Sequence, residues 1–153
     1  MPSHPPLALF VCTGNYYRSR FAEHYFLDLA AKSGLDWHAD SAGLGVEWAW
    51  KINPGPISRV TLASLEQRGV SVVRPRMPRS LTTEDLHAAT RVILLDEPEH
   101  RPMMQEKFPD WEDHERVTYW KVIDVPPSDD FHPMDAIEPL VRELVDELAS
   151  AKA

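Results

Sequence analysis

A cysteine and an arginine in one short run are the residues of this chain best suited to chemistry. Cys12 is the only cysteine, and Arg18 is the sixth residue after it in the run CTGNYYRS. A thiolate is a strong nucleophile, and a guanidinium binds two phosphate oxygens at once while keeping its charge. The residues between them are enough to curl around one anion. The spacing therefore predicts a thiolate and a phosphate held in one cradle.

The intervening residues suit a loop that binds phosphate through its backbone. Gly14 permits backbone angles that a β-carbon forbids, and Asn15 tolerates left-handed angles. Ser19 falls in an expected first helical turn, where its hydroxyl can donate to the sulfur and help it leave a phosphocysteine. Backbone N–H groups at such a terminus stabilise anions. The predicted phosphate-binding residues are Thr13, Gly14, Asn15, Tyr16, Tyr17, Arg18 and Ser19.

The elements that must position this loop are a buried strand before it and a helix after it. The apolar run 7–11 predicts the strand, and Phe21, Ala22, Tyr25, Phe26 and Leu29 recur at helical spacing up to Gly34. Other apolar runs predict strands at 35–41, 70–73 and 92–95, with an extended piece at 117–120. A capped short helix is predicted at 82–86, and a closing helix at 137–148 with an irregular start near Pro139.

The loop resembles that of the low-molecular-weight protein tyrosine phosphatases, which runs from a cysteine through Gly-Asn to Arg-Ser near the N-terminus. The likeness continues through residues 40–45 and 81–86, DSAGLG and LTTEDL. It implies an α/β three-layer sandwich with a four-stranded parallel sheet of order 2-1-3-4 flanked by helices. It also implies Cys12 as nucleophile, Arg18 as phosphate clamp, and a loop braced by Asn15, Ser19 and Ser41.

A thiolate that attacks a phosphate monoester needs an acid to protonate the leaving oxygen. The resemblance places an aspartate in a late loop, commonly before a proline, and Asp124 in the run IDVPPSDD is the predicted general acid. Asp129 and Asp130 lie a few residues further on and stay alternatives for this role.

Aromatic residues near the predicted loop indicate the class of substrate. The resemblance implies an aromatic pocket wall at Trp48 and Trp50, Tyr16 is predicted to add to it, and flat aromatic faces suit phosphotyrosine. The tryptophans could instead form an apolar plug under the loop. The bulk of Tyr16 disfavours phosphoarginine, the substrate of some relatives that have a small residue there. Tyr17 stands where relatives commonly carry a second cysteine, so that no protective disulfide can form.

Length and composition limit the number of domains that the chain can form and the compartment that suits it. With 153 residues and 43% hydrophobic content, one domain at 7–150 is expected after a disordered lead-in at 1–6. A charged leader and a long apolar run are both missing from the sequence, and a lone thiolate survives best in a reducing compartment. These features predict a soluble cytoplasmic protein. The histidines lack metal-ligand spacing and a cysteine nucleophile needs no metal, so we expect no cofactor and no metal.

The net charge of −8 argues against a nucleic-acid partner, and the lack of an apolar span argues against a membrane partner. A phosphate site therefore needs a local excess of positive charge, and the basic residues do cluster, at Arg18, Arg20, Arg74, Arg76 and Arg79.

The sequence thus predicts a phosphomonoesterase that hydrolyses phosphotyrosine in proteins, and aryl phosphates, through a phosphocysteine on Cys12. The expected partner is a phosphotyrosine-containing protein, and the chain is expected to be a monomer or a weak dimer. Two alternatives stay open. One is a phosphate or phosphopeptide binding module with weak or no turnover. The other is an arsenate reductase-like enzyme that uses an external thiol, since the chain has no second cysteine.

Overall fold

Four parallel strands form the centre of the molecule. The structure is a computed structural model that describes residues 5–72 and 75–152. The strands are β1 (Leu7–Cys12), β2 (His38–Gly43), β3 (Arg91–Leu94) and β4 (Val117–Tyr119), arranged in the order β2-β1-β3-β4. All of the neighbouring pairs are parallel. The predicted parallel sheet of order 2-1-3-4 is confirmed.

Helices cover both faces of this sheet. They are α1 (Arg18–Lys32), α2 (Val46–Ala49), α3 (Arg59–Gln67), α4 (Thr83–Ala88), α5 (Glu97–Lys107) and α6 (Pro133–Lys152). Side chains alternate along β1, so Ala8 and Phe10 pack toward α1 and α6. Leu9 and Val11 pack on the opposite face toward α4 and α5. The sheet and its two helical layers form the predicted three-layer sandwich.

The strand predicted at 70–73 is wrong for the residues that the structure describes there. Residues 70–72 form no strand, and Val73 and Arg74 lie outside the described residues. The Val70 N–H donates to the Leu65 carbonyl, and the Gly69 N–H donates to the Glu66 carbonyl. This is the Schellman pattern that ends a helix, and an apolar residue at its last position packs back on the helix. Val70 is thus apolar because it closes α3.

The remaining elements agree with the sequence in kind and differ in their bounds. The extended piece near 117 is β4, the fourth strand of the sheet, and β2 starts three residues later than the predicted strand at 35–41. The short helix α4 has the predicted capping box between Thr82 and Asp85. The closing helix is continuous from Pro133 with Pro139 inside it, so the irregular start predicted there is wrong. Four of the six residues of the predicted lead-in, 1–4, lie outside the described residues.

The carboxyl ends of the strands converge on one edge of the sheet. There β1 ends at Cys12, β2 ends at Gly43, and β3 leads into Asp96 just before α5. Such an edge is where open parallel sheets bind ligands. Across residues 5–72 and 75–152, no helix is long and apolar enough to cross a membrane.

Candidate active site

The predicted phosphate loop connects β1 to α1. Cys12 is the last residue of β1 and is 2% exposed, and Arg18 is the first residue of α1 and is also 2% exposed. The Sγ of Cys12 lies 3.0 Å from the Oγ of Ser19, within hydrogen-bonding distance for a thiol or thiolate. The loop therefore places the predicted nucleophile, its hydroxyl partner and the start of a 15-residue helix at one spot.

Asn15 is the central residue of the loop's support. Its φ is +50°, the left-handed conformation that asparagine tolerates better than most residues. Its side-chain amide donates to the Oγ of Ser19 and to the Oγ of Ser41, both at 2.9 Å. Its side-chain oxygen accepts from the guanidinium of Arg76 at 2.9 Å and from the backbone N–H of Arg79 at 3.1 Å. The structure thus brings together the three residues predicted to brace the loop.

The end of β2 supports the loop through its backbone. The N–H of Leu44 donates to the carbonyl of Cys12 at 2.9 Å, and the N–H of Gly45 donates to the carbonyl of Thr13 at 2.8 Å. The approach is so close that a β-carbon on Gly43 would lie 2.6 Å from the Thr13 carbonyl oxygen. Glycine is required at this position by space.

The guanidinium of Arg18 is held from outside the loop. One terminal nitrogen, Nη1, donates to the carbonyl of Val122 at 2.9 Å. The other, Nη2, donates to the carboxylate of Glu99 at 2.8 Å and lies 3.6 Å from the carboxylate of Asp124. Two anionic side chains therefore approach the same nitrogen of the predicted phosphate clamp.

Glu99 belongs to a polar network on α5 that the sequence analysis did not find. Its carboxylate also accepts from the hydroxyl of Thr13 and lies 3.1 Å from the Nε2 of His100. The Nδ1 of His100 accepts from the backbone N–H of Asp96 at 3.0 Å, so the neutral ring carries its proton on Nε2 and donates from there. Burial raises the pKa of Glu99, but the hydrogen bonds from His100, Arg18 and Thr13 outweigh it and hold this pKa far below its ordinary value.

A second network lies behind the loop. The hydroxyl of Ser41 donates to the carboxylate of Glu23, and Arg76 Nη2 donates to the Ser41 carbonyl at 2.8 Å. Burial raises the pKa of Glu23 above its ordinary value, although the hydrogen bond from Ser41 and the charge of Arg76 act in the opposite direction. The polar core behind Asn15 thus consists of paired charges from α1, β2 and the segment around residue 76.

A cavity of about 420 Å³ opens above the sulfur. Cys12, Gly14 and Arg18 form part of its lining, and Tyr16 and Tyr17 add aromatic surface. Asp124 lies on the same wall with a side chain that is 55% exposed, in reach of both solvent and the cavity. Burial first, and then the charge of Asp124, raises the pKa of Tyr17 to about 12, so its hydroxyl stays protonated at neutral pH. The cavity is thus partly aromatic and is bordered by a carboxyl group.

The other predicted site residues occupy different places. Trp48 lines a second cavity of about 390 Å³, which shares Gly14, Asn53 and Asp124 with the first. Trp50 is 59% exposed, and its indole N–H donates to the carbonyl of Glu47. Both tryptophans are thus exposed, but Trp48 lies beside the candidate active site and Trp50 lines neither of the two cavities.

The two alternative acids lie at the tip of a turn. The Ser128 N–H donates to the Phe131 carbonyl at 2.8 Å, and Asp129 and Asp130 between them are exposed. Neither is among the residues that line the cavity above Cys12. The geometry therefore favours Asp124 over both, because Asp124 lines the cavity with Cys12 and its carboxylate lies 3.6 Å from the guanidinium of Arg18.

Sequence reasoning noted Arg20 and Arg76 only as members of a basic cluster, and it did not single out Glu23, Glu99 and His100 as partners of the loop. One signal was available for the last two. The run DEPEH (96–100) directly follows a buried strand, and the carboxyl ends of parallel strands meet at one edge of a sheet. The others lie in helix or loop patterns that look like ordinary surface charge in sequence.

Comparison with known proteins agrees with this geometry. Residues 8–153 match the family described as low molecular weight phosphotyrosine protein phosphatase. The chain belongs to this family. The low molecular weight protein-tyrosine-phosphatase YfkJ of Bacillus subtilis (strain 168) is 40% identical over 90 residues, which are 58% of this chain and 54% of YfkJ. The matched segment thus spans about half the length of that relative.

Solved structures show the same fold. The crystal structure of YfkJ from Bacillus subtilis has a TM-score of 0.80 at 24% identity, with all of both chains covered. A low molecular weight protein tyrosine phosphatase from T. tengcongensis has a TM-score of 0.76 at 25% identity, covering 93% of this chain and 99% of that one. A thioredoxin-dependent arsenate reductase from Corynebacterium glutamicum has a TM-score of 0.71 at 20% identity, covering 99% and 65%. The fold is therefore shared by phosphatases and by an arsenate reductase.

Proposed function

We propose that this protein hydrolyses phosphotyrosine in proteins, and aryl phosphates, through a phosphocysteine on Cys12. The observation that carries the proposal is the loop itself. A buried sulfur 3.0 Å from a serine hydroxyl opens onto the cavity that the Arg18 guanidinium also lines. Loop N–H groups and a helix N-terminus favour an anion at this position.

The proposed reaction has two steps. In the first, the Cys12 thiolate attacks phosphorus, the bond from phosphorus to the tyrosyl oxygen breaks, and Asp124 gives its proton to that oxygen. In the second, water attacks the phosphocysteine, Asp124 takes a proton from the water, and the sulfur leaves as a thiolate that accepts from Ser19. Arg18 neutralises charge on the phosphoryl oxygens throughout, which requires it to release or share its bond to Glu99.

The walls of the cavity support an aromatic substrate. Tyr16 and Tyr17 line it with Val60, Pro126 and Pro127, so a flat ring placed there meets mostly apolar surface. The hydroxyl of Tyr16 donates to the carbonyl of Pro54, which holds that ring at the rim. We propose a phosphotyrosine-containing protein as partner, and a cytoplasmic site of action because a lone thiolate needs reducing surroundings.

Hydrolysis of 4-nitrophenyl phosphate by wild type and by Cys12→Ser tests the activity. We expect turnover by wild type and no detectable turnover by Cys12→Ser, because a hydroxyl is far less ionised than a thiol. Exposed Ser128→Ala is the matched control and should keep wild-type turnover. Phosphate binding without turnover in wild type would instead support a binding module.

A substrate panel then separates the remaining possibilities. Peptides with phosphotyrosine, phosphoserine or phosphoarginine, together with arsenate plus an added thiol, should rank with phosphotyrosine first. Preference for phosphoarginine would contradict the role given to Tyr16. Reduction of arsenate without ester hydrolysis would favour the reductase alternative.

A further inference from the structure

Arg20 is a charged residue buried next to the phosphate loop. It is the third residue of α1, and its side chain is 0% exposed. Burying a guanidinium is unfavourable unless its N–H groups find acceptors. Nη1 donates to the carbonyls of Asn15, at 3.2 Å, and Pro56, at 2.9 Å, and Nη2 donates to the carbonyl of Arg76 at 2.8 Å. A surface role does not explain these contacts.

The three carbonyls belong to three separate segments that meet behind the loop. Asn15 is in the loop itself and has the left-handed φ of +50°. Pro56 is in the connection that leads to α3, and Arg76 is in the connection that leads to α4. Arg76 also donates to the side-chain oxygen of Asn15 at 2.9 Å. Arg20 therefore holds the main chain of Asn15 directly and its side chain indirectly, through the position of Arg76.

Several ionisable groups lie near the charge of Arg20. Burial, and then Arg76, lower the pKa of Arg20 to about 10, against the raising effects of Glu23, Cys12 and Asp40. Burial, Arg20 and Arg76 together lower the pKa of His24 on the same helix to about 4. At neutral pH Arg20 is thus a cation, His24 is neutral, and the Cys12 sulfur lies within the field of Arg20.

We propose that Arg20 is a positioning residue for phosphate binding and transfer. It fixes the strained backbone of Asn15 from behind, so that the loop N–H groups keep the geometry that an oxyanion needs, and it adds positive charge behind the sulfur. This role rests on the proposed function, because it concerns the same loop. Arg20 would thus contribute to the reaction through the loop, without touching the substrate.

The experiment replaces Arg20 by methionine and by lysine and measures both turnover and phosphate binding. Binding is measured as the inorganic phosphate concentration that half-protects Cys12 from alkylation by iodoacetamide, which needs no turnover. For Arg20→Met we expect kcat/KM to fall about 100-fold and the half-protecting concentration to rise about tenfold or more. Lysine keeps the charge but reaches fewer carbonyls, so Arg20→Lys should lie between methionine and wild type.

A second measurement separates the effect of the Arg20 charge on Cys12 from its effect on the loop backbone. Iodoacetate is an anion and iodoacetamide is neutral, so the ratio of their alkylation rates reports the positive field at Cys12 independently of how much thiolate is present. The rate with iodoacetate divided by the rate with iodoacetamide should fall in Arg20→Met and stay near the wild-type value in Arg20→Lys. A ratio unchanged in Arg20→Met would overturn the electrostatic part of the proposal.

Arg116→Met is the matched control. Arg116 also donates to main-chain carbonyls, those of Ala89 at 2.8 Å and His87 at 3.4 Å, but next to the opposite end of the sheet. The Arg116→Met substitution should lower the melting temperature, and it should leave kcat/KM and the half-protecting phosphate concentration within about twofold of wild type. Arg20→Met with wild-type kcat/KM and protection would overturn the positioning role.

The remaining outcomes are also decisive. If Arg20→Met does not fold, Arg20→Lys decides, and wild-type values in that variant overturn the proposal. If wild type binds phosphate without turnover, the proposed function fails while the protection assay still tests Arg20. If phosphate does not protect wild-type Cys12 at all, both fail.

Discussion

Two carboxylates lie near the same nitrogen of Arg18, Nη2, and they have different surroundings. Glu99 is 29% exposed and shared between Arg18, Thr13 and His100, whereas Asp124 is 55% exposed and 3.6 Å from Arg18. A carboxyl group that must gain and lose a proton suits the open position, and one that must stay ionised suits the paired position. At the residue scale, these surroundings suit Glu99 as an anchor for Arg18 and Asp124 as the proposed proton donor.

Asp124→Asn tests the donor. An amide cannot protonate a leaving oxygen, so turnover of phenyl phosphate, whose phenoxide is a poor leaving group, should fall about 10²–10⁴-fold. The loss should be smaller for 4-nitrophenyl phosphate, whose leaving group needs less protonation. Asp129→Asn, on the exposed turn, is the control and should keep wild-type rates on both. Steady-state kinetics on the two substrates measures this. The reverse ranking of the two variants would move the role to Asp129.

Glu99→Gln tests the anchor through pH-dependent stability. Hydrogen bonds to a charged group contribute about 1.5–3 kcal/mol, so the variant should unfold at lower urea concentration at pH 7. The pKa of Glu99 is lowered in the folded state, so its stabilisation is fully present above its ordinary value of 4.5 and is lost as pH falls toward the folded value. The gap between wild type and variant should therefore shrink progressively below pH 4.5.

Glu106→Gln provides the control for that measurement. Glu106 is exposed on the same helix, and its replacement should leave stability nearly unchanged at every pH. A gap between wild type and Glu99→Gln that is as large at pH 3 as at pH 7 would show that the carboxylate charge is not what matters.

At the scale of elements, the site depends on how closely the end of β2 approaches the loop. A β-carbon on Gly43 would meet the carbonyl oxygen of Thr13 and the Cγ2 of Val46, both at 2.6 Å. A backbone oxygen cannot turn aside as a flexible side chain can. The loop and the end of β2 are therefore a single packed unit, and disturbing one moves the other.

Gly43→Ala should lower both stability and activity. The expected loss is about 1–3 kcal/mol of unfolding free energy, together with a clear drop in kcat/KM, because relief of the contact displaces Thr13. Gly69→Ala is the control, since at a φ of +76° alanine is strained by about 1–2 kcal/mol but the position has open space. Urea unfolding and kinetics on the same samples distinguish them. Equal kcat/KM in both variants would contradict the coupling.

Sequence patterns predicted correctly those elements in which the local sequence signals and the packing of the folded chain favour the same structure. The strand 7–11, the loop from Cys12 and helix α1 carry periodicity, spacing and special residues that all point the same way. The strand prediction at 70–73 is wrong for the described residues 70–72, because an apolar residue that ends a helix and an apolar residue in a strand look alike over so few positions. Contacts such as those from Arg20 and Glu99 connect residues distant in sequence, and only the folded chain brings them together.

At the scale of the whole molecule, both helical layers contribute to the candidate site at one edge of the sheet, and the packed core extends away from that edge. The face under α1 and α6 buries Phe10, Phe26 and Ile137, while α5 on the other face carries Glu99 and His100. The loop lies at the edge where both layers meet. A loss of packing far from that edge should therefore affect folding more than catalysis.

Ile137→Ala tests this separation. Ile137 is 0% exposed within α6, and its truncation should cost about 2–5 kcal/mol of unfolding free energy. The folded fraction should keep wild-type kcat/KM within about twofold when measured well below the melting temperature. Circular dichroism melting and steady-state kinetics give the two quantities. A large fall in kcat/KM without loss of folded protein would mean that packing within the core is coupled to the site.

The most direct measurement of the central claim is chemical capture of the intermediate. Wild type and Asp124→Asn are mixed with 4-nitrophenyl phosphate, quenched in acid within milliseconds, digested and analysed by mass spectrometry. We predict one phosphoryl group on the sulfur of Cys12 and none in Cys12→Ser. Hydrolysis that proceeds with Cys12 unmodified at every quench time, or a phosphoryl group on another residue, would contradict the account.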